Sequence, residues 1–187
     1  MKMLTAAALF LTCAAAQAGV LNFYATLEPE GGGGRTGGGN VQVSFDDVSN
    51  VLSYSGSFFG LSGTTTAAHF HCCTPSAFTG TAGVAIDSPT LPIPLGVSAG
   101  VFAGSTDLDD PLSFTPGFVT ASGGTAASAT ARFIQSIYAH QVYFNVHTSP
   151  NFGGGEIRGF LVPEPTSAAL ALMALGVLGA AGRKRQA

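Results

Sequence analysis

The feature that most constrains the fold is an alternation of apolar and polar residues on both sides of a short polar turn. Residues 40–46 place an apolar side chain at every second position, and residues 51–59 do the same except at Gly56. This period of two is typical of a β-strand with one face in the core. Asp46–Asn50 supplies the turn, so the two segments predict an antiparallel hairpin. The inward residues are Val41, Val43, Phe45, Leu52, Tyr54 and Phe58.

The remaining pattern predicts more short strands and a single helix. Further strands are expected over 20–27, 64–72, 141–147 and 156–161. Apolar residues at helical spacing predict one amphipathic helix over Thr125–Ala139. Residues 74–117 are rich in Pro and Gly and predict mostly loop, with a short strand at Val84–Asp87. The expected class is therefore all-β, an antiparallel sandwich or barrel of Greek-key-like connectivity with one short helix.

The first 18 residues have the layout of a secretory signal peptide. Lys2 gives a positive start, an apolar run follows to Ala16, and the small residues Ala16 and Ala18 mark a cleavage pattern. We therefore expect residues 1–18 to be removed by signal peptidase during export.

The last residues predict an apolar C-terminal helix with a basic end. Ala168–Gly182 contains no charged residue, which is marginal in length for a membrane span. Arg183, Lys184 and Arg185 follow directly and are typical of a stop held on the cytoplasmic side. The sequence thus predicts a precursor that is retained in the membrane by its tail.

The order of these C-terminal elements resembles a known sorting signal. Pro163, Glu164 and Pro165, then the apolar helix, then the basic residues, look like the PEP-CTERM signal of Gram-negative bacteria that make exopolysaccharide. The resemblance implies that residues 163–187 are recognised by an exosortase, a membrane enzyme similar to a transpeptidase. The tail would be removed, and the protein would reach the cell surface or the extracellular matrix.

Charge within residues 19–162 is sparse and negative. Three arginines (Arg35, Arg132 and Arg158) stand against nine acidic residues, a net charge of about −6 with histidine neutral. Nucleic-acid binding needs a basic face, and anionic membrane surfaces attract clusters of Lys and Arg. The composition therefore argues against both partners.

Several segments of the central region resemble one family in order. They are the stretch GLSG at 60–63, AHFH at 68–71, YFNVHT at 143–148 and GEIRGFL at 155–161. Together they look like a CHRD domain over Leu21–Leu161, a domain named for its occurrence in chordin and found in bacterial exported proteins. The resemblance implies a β domain in an extracellular setting for residues 19–162, and it implies no particular chemistry.

The stretch AAHFHCCT at 67–74 raises the question of a metal site. His69 and His71 are two residues apart on a predicted strand, so both imidazoles leave the same face. Neutral imidazole suits zinc or copper, and a third histidine would complete a common ligand set. His147 lies in the other family segment and is the expected third ligand. Glu156 is expected to be a fourth ligand or a hydrogen-bonding partner of one.

Two questions remain open here, namely whether the polar residues hold an ion and whether the two cysteines form a disulfide. The alternative to a metal site is a hydrogen-bonded cluster that fixes strand register and holds no ion. Its members would be His69, His71, Asn145, His147, Glu156 and Arg158. The second question concerns Cys72 and Cys73, which would form a disulfide in an oxidising compartment or supply thiolate ligands beside the histidines.

The expected function is non-enzymatic. The chain contains no Gly-x-Ser-x-Gly nucleophile motif. We expect an exported protein of the cell surface or matrix that associates with exopolysaccharide or another matrix component. The alternative is a copper- or zinc-binding or redox protein that uses His69, His71 and His147.

Overall fold

The computed structural model describes residues 19–87 and 91–164, and β-strands are their commonest secondary structure. The strands are β1 (Val20–Pro29), β2 (Gly38–Asp46), β3 (Val51–Phe59), β4 (Thr64–Cys72), β5 (Val84–Ile86), β6 (Gly100–Asp107), β7 (Val142–Ser149), β8 (Phe152–Phe160) and β9 (Val162–Pro163). The helices are α1 (Pro116–Ala121) and α2 (Ala126–Tyr138), preceded by a short 3-10 helix at Pro111–Ser113.

The strands form one antiparallel sheet that folds over on itself. Their order is β5-β4-β7-β8-β1-β2-β3-β6, with β9 beside the start of β1. The first part of β1 pairs with β2 and β9, whereas Glu28 and Pro29 at its end pair with β8. Strand β1 therefore joins a first layer (β9, β1, β2, β3 and β6) to a second layer (β8, β7, β4 and β5). The predicted all-β antiparallel class is confirmed.

Aromatic rings from the two layers meet in the core. Phe102 of β6 stacks on Phe144 of β7 with ring centroids 5.4 Å apart, and Tyr54 of β3 contacts Phe70 of β4 at 6.1 Å. These rings are almost completely buried. Burial of a large aromatic side chain contributes about 1.5–3 kcal/mol, so these contacts hold the layers together.

The predicted helix is present as α2. Thr125 caps it, since its hydroxyl accepts a hydrogen bond from the Ser128 amide at 3.1 Å and the Ser128 hydroxyl accepts one from the Thr125 amide. This reciprocal capping box satisfies two amides that the first turn leaves free. Phe133 and Ile137 lie one turn apart and are fully buried, and the Phe133 ring contacts Phe70 at 6.2 Å. The helix thereby packs on the core beneath β4.

Helix α1 and the eight-residue strand β6 were not predicted. Strand β6 has a glycine at an inward position, so its sequence lacks the usual alternation. A Cβ atom at Gly104 would lie 2.5 Å from the Tyr54 hydroxyl oxygen, so the Tyr54 ring occupies that space. The Tyr54 side chain of β3 thus fills the core space that an inward side chain of β6 would otherwise occupy.

The predicted signal peptide (1–18), Pro165, the apolar run Ala168–Gly182 and the basic residues 183–185 lie outside the described residues. Within the described part of the chain, no helix has both the length and the apolar character needed to cross a bilayer.

Candidate metal centre

Three of the four histidines lie together on the outer face of the second layer. His69 and His71 alternate with buried Phe70 on β4, and β4 pairs with β7, which carries His147. One ring nitrogen from each histidine lies within 4.8 Å of the other two. Ring centroids are 4.8 Å apart for His69 and His147 and 5.6 Å apart for His69 and His71. The structure therefore brings the three predicted ligands to one place.

Loops cover this outer face, so the rings are largely shielded from water. The segment after β4 turns back as β5, which pairs with β4 at Phe70 and His71. Gly153, the second residue of β8, lies against His147. His71 and His147 are 8% and 9% exposed, and the His69 side chain is 14% exposed.

Backbone carbonyls fix which nitrogen of two rings carries the proton. His71 Nδ1 lies 2.9 Å from the Ala82 carbonyl oxygen, and His147 Nδ1 lies 2.9 Å from that of Gly153. A carbonyl only accepts hydrogen bonds, so both Nδ1 atoms donate. In the neutral rings, Nε2 of His71 and Nε2 of His147 are therefore lone-pair donors, which is the form that ligates metals.

For the third ring, His69, a carboxylate fixes which nitrogen carries the proton. His69 Nε2 lies 2.9 Å from Asp87 Oδ1. An ionised carboxylate only accepts hydrogen bonds, so Nε2 of His69 carries the ring proton and donates a hydrogen bond to Asp87. A neutral His69 then has its lone pair on Nδ1. Carboxylates in this position orient the ligating histidines of metal sites and make them more basic.

The lone pairs assigned in this way face one another. His69 Nδ1 lies 3.1 Å from His147 Nε2, a contact that a shared proton or a bound cation makes favourable. His71 Nε2 is buried and has no hydrogen-bond partner among residues 19–87 and 91–164. A buried polar atom without a partner is costly. A cation between the three nitrogens would satisfy all of them.

Burial keeps two of these rings neutral. It lowers the pKa of His71 to about 4, against the opposing effect of its hydrogen bond to Ala82. Burial also lowers the pKa of His69, which the charge of Asp87 opposes and the neighbouring His147 reinforces. Both rings are thus neutral at pH 7, as metal ligation requires.

The spacing of the nitrogens suits a small transition-metal ion. Zinc binds imidazole nitrogen at about 2.0–2.1 Å in tetrahedral geometry. Ligand atoms on such an ion lie roughly 3.3–3.4 Å apart, by the geometry of a tetrahedron of that radius. The observed 3.1 Å contact is already close to this value, and all three nitrogens fall within 4.8 Å. Small ring rotations therefore complete a three-nitrogen site.

Glu156 does not belong to this cluster, so the prediction that it is a ligand or a ligand's partner is wrong. Its carboxylate accepts hydrogen bonds from the Thr148 hydroxyl at 2.5 Å and the Ser62 amide at 2.7 Å. Thr148 follows His147 on β7 and points to the opposite face of the strand. The Thr36 amide also donates to Glu156, at 3.3 Å, so this carboxylate anchors the glycine-rich loop between β1 and β2.

The polar residues beside the histidines form a second, separate network. Asn145 Nδ2 donates to Glu30 Oε2 at 2.8 Å, and Arg158 Nη1 lies 3.1 Å from Glu30 Oε1. Arg158 therefore pairs with Glu30 and not with Glu156. Sequence reasoning missed both Glu30 and Asp87, because each lies at the end of a strand where no periodic pattern marks it.

Cys72 and Cys73 are joined to each other by a disulfide. Cys72 is buried in the core, and Cys73 packs against it. Neither sulfur belongs to the group of ligand atoms around His71. The described site is therefore built from nitrogen ligands alone.

The fold and this cluster define a small antiparallel β domain with a buried three-histidine site on its outer face. The family model of the CHRD domain matches residues 23–161, and the chain belongs to that family. A model of the PEP-CTERM protein-sorting motif matches residues 161–186. The chain is accordingly an exported protein that is sorted through this tail by an exosortase, from a membrane-anchored precursor of a Gram-negative bacterium.

No curated protein matches the chain. The comparison with solved structures likewise finds no match.

Proposed function

We infer that the chain is a non-enzymatic protein of the cell surface or matrix, associated with exopolysaccharide, whose CHRD domain binds one copper or zinc ion. The observation that carries the metal assignment is the convergence of three lone pairs. Each ring has its other nitrogen occupied by a fixed acceptor: Asp87 for His69, Ala82 for His71 and Gly153 for His147.

The ion would be held by Nδ1 of His69 and by Nε2 of His71 and His147. Neutral imidazole favours zinc and copper among the common divalent ions. The bound ion would link β4 to β7, because two of its ligands lie on β4 and one lies on β7. These two strands and the loops over them would then be held together by the ion outside the cell.

Enclosure of the site supports a binding role over a catalytic one. Catalytic zinc sites keep an open position where water or substrate reaches the metal. Here His71 and His147 are each less than a tenth exposed, and the loop before β5 lies against His71 while the start of β8 lies against His147. The side of His69 and Asp87 is the most open, since the Asp87 side chain is 44% exposed, and we assign ion entry to that side.

Elemental analysis of the exported protein tests the metal assignment. We expect about one zinc or copper ion per chain, lost in His71→Ala and retained in His140→Ala, which changes the one histidine outside the cluster. Sub-stoichiometric metal that is unchanged by His71→Ala would refute it. Matrix association is tested separately, by asking whether the protein fractionates with exopolysaccharide or remains with the cells.

A further inference from the structure

A groove opens where β1 changes partners, on the side of the molecule away from the core. Strand β1 pairs with β9 at Tyr24 and with β8 at Glu28, and side chains of both ends line the groove. Its volume is about 560 Å³, within the usual range of roughly 300–1,000 Å³ for small-ligand sites. We call this site the β1 groove, and the side chains that line it include Tyr24, Thr26, Glu28, Glu30, Phe78, Arg158 and Phe160.

Phe78 forms one wall of the β1 groove at a cost in backbone strain. Its φ is +59°, a conformation that bulky residues rarely adopt. The Phe78 amide donates to the His140 carbonyl at 2.9 Å, and its ring stacks on the His140 ring at 4.4 Å. Phe78 nevertheless remains 55% exposed. Strained residues held by their surroundings cluster at binding sites.

The floor of the β1 groove is aromatic and carries a restrained guanidinium. The Phe160 ring contacts the Phe78 ring at 6.1 Å. Arg158 lies over Phe160 at 5.5 Å and over Tyr143 at 5.1 Å, and its Nη1 donates to the Gly80 carbonyl at 2.9 Å. The groove therefore offers apolar ring surface beside polar groups that are held in place.

The charges of the groove exclude an anionic ligand. Arg158 is the one cation among the residues described as lining it, and Glu30 neutralises it at 3.1 Å. Glu28 is exposed and adds a negative charge. A neutral ligand that is rich in hydrogen-bond donors suits these carboxylates best, since ionised carboxylates only accept hydrogen bonds.

We propose that the β1 groove binds a neutral polysaccharide through its pyranose rings. A pyranose has an apolar face of C–H groups, which suits the aromatic rings of Phe78 and Phe160. It also has a rim of hydroxyl groups, which donate to carboxylates and exchange hydrogen bonds with hydroxyls such as that of Thr26. Contact with the two phenyl rings removes the apolar face of the sugar from water, which is favourable.

In the first layer, the cross-strand rows that begin at Asn22 and Thr26 extend this surface with uncharged groups, whereas Asp46 and Asp107 lie further away on the same face, in the row that begins at Val20. Tyr24 and Thr26 line the groove and also belong to the outer face of β1. Cross-strand neighbours continue that face with amides and hydroxyls, in the rows Asn22–Ser44–Ser53–Ser105 and Thr26–Asn40–Ser57. A polymer that leaves the groove would therefore meet uncharged hydrogen-bonding groups. The inference deepens the matrix role proposed above and rests on it, whereas it is independent of the metal.

Affinity electrophoresis of the exported protein, processed as the cell processes it, tests this proposal. The probes are gels containing dextran, hydroxyethylcellulose or galactomannan, with alginate as the anionic probe. We expect retardation by at least one neutral polymer and none by alginate. Phe78→Gly removes the ring and relieves the strained backbone, and should weaken binding at least ten-fold. Phe78→Tyr keeps the ring and should retain binding.

Phe59→Gly is the matched control, since Phe59 is 61% exposed and lies outside the groove. Equal weakening by Phe59→Gly and Phe78→Gly, retardation by alginate alone, or no retardation by any neutral polymer would each overturn the proposal. If Phe78→Gly still fractionates with exopolysaccharide in culture, the matrix role survives and the groove assignment fails. If wild type binds the neutral gels but stays with the cells, the matrix role fails instead.

Discussion

Acidification should destabilise the metal-free protein through His71. Burial lowers the pKa of this ring to about 4 in the folded state, from an ordinary value of 6.5. A group with a lowered pKa in the folded state binds protons more readily when unfolded, so stability falls as the pH drops. The stabilisation is fully present above pH 6.5 and is lost as the pH falls from there towards 4.

The magnitude follows from the gap between the two pKa values. At about 1.4 kcal/mol per unit, the gap between 6.5 and about 4 amounts to about 3.5 kcal/mol, of which about 3 kcal/mol is lost between pH 7 and pH 4. A domain of this size is typically stable by roughly 5–15 kcal/mol, so the loss is a large fraction of the total. Since His71 is only 8% exposed, solvent screening reduces the effect little.

Urea unfolding followed by circular dichroism, with a chelator present and at pH values from 7 to 4, measures this loss. His71→Phe is the matched variant, because a phenyl ring preserves the stacking on Tyr143, whose ring lies 4.6 Å away. Subtracting its profile removes the contribution of other titrating groups. The wild type should lose about 3 kcal/mol more than the variant between pH 7 and pH 4. Parallel profiles would refute the reasoning that His71 is buried in the neutral form.

Three further predictions concern groups around the site and the tail. Hydrogen bonds lower the pKa of Glu156 although burial opposes them, so Glu156→Gln should cost about 2 kcal/mol in urea unfolding and leave the metal content unchanged. Loss of metal in that variant would place Glu156 in the site after all. Asp87→Asn should weaken zinc binding by about 10–100-fold in a calorimetric titration, and an unchanged affinity would remove Asp87 from its orienting role. Alanine at Pro163, Glu164 and Pro165 should leave the uncleaved tail on the protein by mass spectrometry, and normal processing would contradict exosortase recognition.

The sequence predicts strands well where each strand carries its own inward side chains. The hairpin of β2 and β3 follows from alternation alone, because Val43 and Tyr54 occupy the core themselves. Strand β6 could not be found in this way, since Gly104 leaves its space to Tyr54. Such complementarity between neighbouring strands becomes visible only after the strands are paired.

In the candidate site, too, features set by a single strand could be predicted, and features set by strand pairing could not. The common orientation of His69 and His71 follows from the two-residue period of one strand. Glu156 was expected beside the histidines, but the pairing of β7 with β8 shifts between Val146 and Thr148 and turns its side chain elsewhere. Gly155, at a φ of +126°, accompanies this irregularity, and a β-bulge of this kind changes which face a side chain takes.

The groups that fix the tautomers were beyond sequence reasoning for a different reason. The carbonyl oxygens of Ala82 and Gly153 belong to the backbone, which every residue carries, so no residue type marks them. Asp87 follows a three-residue strand and reaches His69 only because β5 pairs with β4. The path of the loop before β5 and the irregular start of β8 decide these contacts, and local sequence patterns do not specify them.

Crystallography of the exported protein with anomalous diffraction at the zinc and copper edges tests the central claim most directly. The lone-pair assignment predicts one anomalous peak, about 2.0–2.1 Å from Nδ1 of His69 and from Nε2 of both His71 and His147. A peak bound through Nε2 of His69, or at Glu156, would contradict that assignment. A well-ordered histidine cluster without any peak, in crystals soaked with zinc or copper, would contradict the metal site itself.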